Sequence, residues 1–548
     1  MKMNTNSYRL IFGLCMALLF TNCEKLDLVP ENTFTDETYW TSTQKAQTFL
    51  NTAYSQMMNS NRFFYNEGLS DNAYNGRGDN AGAASIASGT YDSSLGRMQN
   101  EWDDRYAGIK TTNLILENID RVPDMDETVK LRMIAEARFL RAWQHFYLMT
   151  WFGDIPLLQT DPSIEEAQVI TRTPRAEVLQ FVISELTDIM DDLPVKSAYG
   201  EGEKGKISRG AVAAFLARIH LYEGNWSQTA TYCEMIMNGS VGDYGLFNSY
   251  SGLFLPKNQF SSEDILSLQY APVNRTWGEL FDMVPISVGG RVNALAPTQE
   301  LVDSYKMING KDIDEAGSGY NEDTPYQNRD PRLTSTVVYH NYQWQDIIEG
   351  TNTTTTSTIY IKPGSDPSDD DTDEYAPGGS TTSTGYYVRK YFDPEHEAGL
   401  AISTNLMLIR YADVLLMYAE AKLEMGEFSE TVWDNTIRLL RARAGFSDAA
   451  ALTYPSGLSE QQMREEIRNE RRVELAMEGL RIFDIRRWKT AEDVLNGYAH
   501  GAQFGPEDID NGYLRVNLRK FDPSKHYLWP IPRDERLINP NLTQNPGW

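Results

Sequence analysis

The chain has 548 residues, a formal charge of −27 and 41% hydrophobic content, with 30 Tyr, 21 Phe and 11 Trp. That aromatic load excludes a disordered chain. With 77 acidic against 50 basic side chains and no basic patch in the sequence, a nucleic-acid function is excluded as well.

Lys2 and Arg9 open the chain, followed by an apolar run of 11 residues over 10–20. That is too short to span a bilayer, which takes about 20 residues, and it suits the apolar stretch of a secretory signal. Leu19, Phe20, Thr21, Asn22 and Cys23 then resemble a lipoprotein signal, with Leu four residues before the cysteine where three is usual. Residues 1–22 are read as the signal peptide and Cys23 as the lipidated residue. Several acyl chains on one cysteine anchor firmly, because each buried CH₂ contributes about 0.8 kcal/mol. Cys15 leaves with the signal, so Cys233 is the one thiol left and no intramolecular disulfide forms.

Residues 24–36 read as an extended tether. Helical patterns follow over 43–60, with Ser42 as the N-cap, then over 100–120, 128–151 and 175–192. A weak internal repeat comes next. Ala217, Leu221 and Gly224 recur as Ala419, Leu423 and Gly426, and Trp226 matches Phe428. Each copy reads as helix, glycine turn, helix: 208–223 with 226–237, then 405–425 with 430–444. In such hairpins the small Ala lets helices approach, Leu fills the seam and Gly makes the turn, as in tetratricopeptide repeats. Leu408, Ala412, Leu415, Leu416, Ala419 and Leu423 form one apolar stripe. A last long helix is predicted over 459–480. Residues 239–399 are rich in Gly, Pro, Asn, Tyr and Thr, with strand-like pieces at 265–270, 335–339 and 359–362 and a loop over 350–385. The expected fold is mainly α, a tetratricopeptide-like scaffold with a long loop-rich insert holding a few short strands. Its parts are 1–22, a helical region 23–240, an insert 241–400 and a helical region 401–548, integrated into one globular unit.

Four stretches carry a family resemblance: 408–421 (Leu408 to Ala421), 467–476, 478–488 (Glu478 to Trp488), and the end of the chain from Trp529 to Trp548. In this order they resemble the SusD/RagB family of outer-membrane nutrient-binding lipoproteins. The resemblance implies a cell-surface protein of the outer membrane that captures oligosaccharide or polysaccharide without cleaving it. It also implies delivery to a TonB-dependent, SusC-like transporter, over which the lipoprotein sits as a hinged lid. Two other readings stay open: the same architecture binding peptides, and a lipid-anchored glycoside hydrolase.

A sugar offers C–H groups to an aromatic ring and hydroxyls to Asn, Asp, Arg and Gln. Two loop stretches supply both types. The first, 63–80, holds Phe63, Phe64, Tyr65, Asp71, Tyr74, Asn75, Arg77 and Asn80; the second, 270–293, holds Arg275, Trp277, Phe281 and Arg291. Tyr342 and Trp344 extend the arc, and Trp277 is the leading platform because polar residues and Gly flank it. Arg468, Arg471 and Arg472 alternate with Glu470 and Glu474 and read as a structural ion-pair network. The stretch from Gly200 to Lys206 matches glycine-rich phosphate motifs, but no strand precedes it and Glu201 and Glu203 repel phosphate. No cofactor and no catalytic metal is expected, because the six His are scattered. Asp369, Asp371 and Asp373 have the opening spacing of a calcium loop, with Glu374 where such a loop needs Gly.

Overall fold

The computed structural model describes residues 40–78, 82–347, 353–394 and 401–548. The expected signal peptide, Cys23, the expected tether and Asn80 lie outside the described residues.

Helix α1 (Thr43–Ser55) starts where expected, with Ser42 Oγ accepting from the Lys45 amide. It stops at Ser55, and Asn59 caps a separate short helix, α2 (Ser60–Tyr65). Strand β1 (Ala73–Asn75) follows. The long helices α3 (Gly96–Asn118) and α4 (Glu127–Phe152) pack on each other, and α5 (Arg175–Ile189) packs on α4. The first repeat copy is α6 (Arg209–Tyr222) and α7 (Trp226–Met237), joined at Gly224, whose φ of 70° is the left-handed value the repeat requires of it.

The insert contains β2 (Asp264–Leu268), β3 (Leu295–Pro297), α8 (Gln299–Ser304), α9 (Pro331–Thr336), β4 (Val337–Val338), β5 (Tyr342–Ile347), β6 (Thr354–Ile359) and β7 (Tyr387–Val388). Of the strand expected over 335–339, Val337 and Val338 form β4, but Ser335 and Thr336 belong to α9. Asp330 caps it by accepting from the Arg332 amide, and Pro331 takes the first helical position, which suits its missing N–H. Tyr342 and Trp344, expected in a loop, lie on β5, which pairs antiparallel with β6 through Thr354 to Ile359 of the presumed 350–385 loop.

In the second repeat copy, residues 406–410 are not helix. Strand β8 (Leu406–Arg410) is buried on both faces and pairs antiparallel with β2, and α10 (Tyr411–Glu424) begins only after it. The four-residue apolar run Leu406 to Ile409 fits a doubly buried strand as well as a helix, and here the partner strand decides. Leu408 therefore leaves the helical stripe. The rest of that stripe packs with α11 (Glu430–Asp434), α12 (Ile437–Ala444) and α13 (Glu460–Glu474) around Trp433, Ile437, Leu440, Met463 and Ile467. The second glycine turn, Gly426, has φ of 72°. Helices α7, α10 and α13 pack in succession, so the two repeat copies form one continuous helical stack. Helix α14 (Arg481–Arg487) and the hairpin β9 (Gly497–His500) with β10 (Arg515–Arg519) complete the chain.

Helix α13 ends at Glu474, short of 480, because the chain turns through Met477 and Gly479, both with positive φ. A side chain at 479 would strike the Phe63 carbonyl, and the Gly479 amide instead donates to Glu67 at 2.8 Å. The turn places Glu474 and Glu478 in a buried ionic cluster. Arg410 contacts Glu263, Glu474 and Glu478, each at 2.7 Å. Arg332 binds Asp330, Glu470 and Glu474 at 2.6–2.9 Å, and Lys390 binds Glu478 at 2.7 Å. A second cluster joins Arg471 to Asp413 and Asp484, Arg218 to Asp413, and Arg487 to Glu420. The α13 charges are thus structural, as their pattern indicates, but most of their partners lie on other elements. Arg468 is an exception, stacking 4.6 Å from the Trp488 ring.

Removing one member of such a cluster strands the others in low dielectric. Arg410→Ala is expected to cost at least about 3–5 kcal/mol of stability, read from guanidinium unfolding. Burial alone would raise the Asp413 and Glu474 carboxyls, but Arg471 and Arg218 hold Asp413, and Arg443, Arg410 and Arg332 hold Glu474, well below the carboxylate range. Their stabilisation is complete above the unfolded values near pH 4 and is lost as pH falls between about 5 and 1. An acid titration of near-UV dichroism is expected to show cooperative unfolding in that interval.

Candidate functional site

The insert and the β9–β10 hairpin build one face around the turn from Thr382 to Tyr386. Thr382 Oγ1 accepts from the amides of Thr384, Gly385 and Tyr386 at 3.0–3.1 Å and donates to the Tyr386 carbonyl. Gly385 has φ of 83°, and a Cβ there would lie 2.6 Å from Ala502, so the turn is clamped to the hairpin region.

On one flank of this turn stands β1. Tyr74 and Arg77 are half-buried at the surface. Strand β1 pairs with β3, setting Tyr74 opposite Ala296. Gly76 has no room for a Cβ against Ser383. Arg77 donates to the Gly378 carbonyl at 3.2 Å. Asn75 is buried and holds the strand end by donating to the carbonyls of Arg77 and Ala294.

Against Tyr386 of this turn packs a shelf of tyrosines that the sequence did not single out. The Tyr326 and Tyr339 rings stack at 4.0 Å with 16° between their planes, and both are half-buried. Each hydroxyl is tied down. Tyr386 donates to Gln299 Oε1 at 2.5 Å, so Tyr326 is the donor to Tyr386 at 3.3 Å; Tyr339 shares a hydrogen bond with Thr334 at 3.1 Å. Tyr320 lies 5.6 Å from the Arg329 guanidinium. Burial raises the hydroxyl pKa of Tyr320, Tyr326 and Tyr339, so all three stay protonated donors at neutral pH. Exposed Gln327 and Asn328 follow Tyr326 directly in the chain, and exposed Asn341 and Gln343 follow Tyr339. Fixed rings with planar amides beside them suit a sugar: rings meet its C–H face, and amides and hydroxyls meet its hydroxyls.

A profile of the SusD family matches residues 269–548, and a second, described as starch-binding associating with outer membrane, matches 25–221. The chain belongs to the SusD family. It is 27% identical over 559 residues to SusD-like protein P2 of Formosa agariphila, covering 99% of both chains. Its fold matches a SusD-like carbohydrate binding protein from Bacteroides fragilis with a TM-score of 0.81 at 30% identity, over 92% of this chain and 100% of that one. A second SusD-like protein of Bacteroides fragilis gives 0.78 at 26% identity, over 94% and 99%. The tetratricopeptide-like fold is thus that of the SusD-like structures, and neither matching family is an enzyme family. No helix among the described residues is long and apolar enough to cross a membrane.

Within this SusD-like frame, several expected platform residues prove to be packing residues. Trp277 is buried, its ring 5.1 Å from Phe64, and its indole N–H donates to the Thr404 carbonyl at 2.8 Å. Its polar sequence neighbours gave no hint of this, because the groups that cover it come from 64 and 402–404. Trp344 is fully buried on β5 between Arg389 and Phe392 and donates to Asp346 at 3.0 Å. Phe281 is buried in a 3₁₀ turn. Phe63, Phe64 and Tyr65 belong to buried α2, not to a loop. Asp71 is buried and paired with Arg472 and Arg481 at 2.8–3.0 Å, so its carboxylate is committed inside the protein. Arg275 stays half-exposed, 4.8 Å over the Tyr270 ring, on a separate turn where it donates to the carbonyls of Gln269 and Ser55.

The acidic loop does not assemble a calcium site. Asp369 and Asp371 are exposed, while Asp373 is buried and accepts from the Ser287 amide at 3.0 Å. Glu374, at the position where a calcium loop needs Gly, accepts from the amides of Gly364, Ser365 and Asp366 at 2.6–2.9 Å and closes the loop without an ion. No group of three potential ligands forms among the described residues. Around 200–206, Lys206 reaches back to Glu203 and Gln47, so its ammonium does not face a phosphate cradle.

Trp277→Ala is expected to lower stability by about 3–5 kcal/mol, the cost of emptying a large buried aromatic site. Urea unfolding checks this.

Proposed function

We propose that the protein is a non-catalytic, glycan-binding lipoprotein, anchored through Cys23 and facing the cell exterior. It captures oligosaccharide or polysaccharide and passes it to a TonB-dependent transporter of the SusC type. The observation that carries the binding reading is the fixed, half-exposed tyrosine shelf of Tyr320, Tyr326 and Tyr339, set among planar amides on a rigid turn. Similarity to a SusD-like carbohydrate binding protein supports the same chemistry. Tyr74 and Arg77, which flank Gly76 where it meets Ser383 of the same turn, extend the surface to more than one sugar unit.

Aromatic contacts of this kind contribute about 0.5–1.5 kcal/mol each. Two or three of them with hydrogen bonds give affinities of roughly millimolar to micromolar, suited to capture followed by release.

The test is calorimetric titration of protein starting after Cys23 against a panel of polysaccharides and peptides, with reducing-end release followed in the same samples. Tyr326→Ala and Tyr339→Ala are each expected to weaken binding of the recognised glycan about 2- to 12-fold with no sugar released. Sugar release would make the protein a hydrolase. Peptide binding without glycan binding would replace the ligand class.

A further inference from the structure

A second cavity lies on the helical scaffold, away in sequence from the tyrosine shelf. It has a volume of about 310 Å³, near the lower end of the roughly 300–1,000 Å³ typical of small-molecule sites. The ends of α4 and α6, the start of α5, helix α14 and residues 527–528 enclose it. In a chain of charge −27, its walls carry four cations, Arg175, Arg486, Arg487 and Lys489, against one carboxylate, Glu223.

Two of these cations are already matched. Arg175 grips Glu223 through both carboxylate oxygens at 2.5 and 2.8 Å, which also neutralises the cavity's one acid. Arg487 holds Glu420 and Asp484 at 2.6–2.9 Å. The other two are unmatched. Arg486 sits over the Trp151 ring at 4.5 Å and donates to the Tyr527 carbonyl, but no carboxylate among the described residues pairs with it. Lys489 sits 3.8 Å over the Tyr527 ring. Glu492, whose charge acts on the lysine, accepts the Tyr527 hydroxyl, and no ion pair joins it to Lys489 among the described residues. Burial depresses Arg486; Lys489 is exposed at the cavity rim, where partial desolvation and the charge of Arg486 lower it, so the two positive charges disfavour each other.

The backbone adds an independent observation. Lys489 ends α14 with φ of 58°, and the Thr490 amide closes back to the Ile485 carbonyl at 2.9 Å. That left-handed cap position usually takes Gly. A lysine there bears backbone strain and places a cation at the cavity wall.

We infer that this cavity binds the oxyanionic group of an acidic sugar residue, a carboxylate or sulfate ester, between Arg486 and Lys489, with the sugar ring against Tyr527 and Phe483. Charge-assisted bonds to the guanidinium and ammonium supply the selection for an anion. The aromatic walls supply the surface that a free inorganic ion does not use.

Glucuronate, galactose 6-sulfate, glucose and inorganic sulfate, titrated calorimetrically into the full chain starting after Cys23, test this at 20 and 300 mM NaCl. The two acidic sugars are expected to bind at least tenfold more tightly than glucose, with the preference reduced at the higher salt. Lys489→Gly removes the charge and relieves the backbone, so it keeps the fold; it is expected to weaken acidic-sugar binding about tenfold, and Lys489→Arg to restore it. Tyr326→Ala is expected to leave acidic-sugar binding here unchanged, which separates this cavity from the shelf. Equal binding of glucose and glucuronate, binding of sulfate as tight as that of the acidic sugars, or indifference to Lys489→Gly would each overturn the inference.

Discussion

The interior of this protein is organised by ion pairing as much as by apolar packing. Arg332, Arg410, Arg471, Glu263, Glu470, Glu474 and Asp413 are all nearly or completely withdrawn from water. None of them is affordable alone in that setting. Each has to find its counter-charge on a different element, and that requirement fixes where the elements stop. Strand β8 delivers Arg410, the Pro331 helix delivers Arg332, and the turn at Met477 and Gly479 ends α13 so that Glu474 and Glu478 meet both.

This rigid interior explains why the loop face can hold its side chains still. The Thr382–Tyr386 turn is bonded to itself and pressed on the hairpin region, and the tyrosine hydroxyls end on fixed acceptors. Binding to such a surface orders few side chains, so little of the contact energy is lost to conformational entropy. The same economy is visible at the second cavity, where stacking on Trp151 and a strained backbone set the two cations before any ligand arrives.

Much of the scaffold was legible in the sequence, because helical hairpins announce themselves locally. The spacing of Ala217, Leu221 and Gly224 and its copy at 419–426 marked both hairpins and both left-handed glycines. The errors came where a distant partner decides. Residues 406–410 are a strand because β2 lies beside them. Trp277 and Trp344 stand among polar neighbours in sequence, yet Phe64, Thr404, Arg389 and Phe392 cover them in space. The tyrosine shelf escaped notice for the converse reason. Tyr320, Tyr326 and Tyr339 show no periodicity, and Tyr386, which locks Tyr326, is 60 residues away. Their one local signal was tyrosine recurring in a Gly-, Asn- and Pro-rich stretch.

The ionic clusters also set an order in time. A ribosome releases the chain from its N-terminus, so Arg218, Arg332 and Arg410 are made well before Glu470, Arg471, Glu474 and Glu478. Until those last residues appear, Arg332 and Arg410 lack most of their counter-charges, whereas Arg218 already has Asp413, so the first two have every reason to remain hydrated. The ionic centre of the molecule is therefore incomplete until synthesis is nearly finished. A chain whose ionic centre stays incomplete until its final seventh exists is one that can be threaded through a narrow passage before it folds.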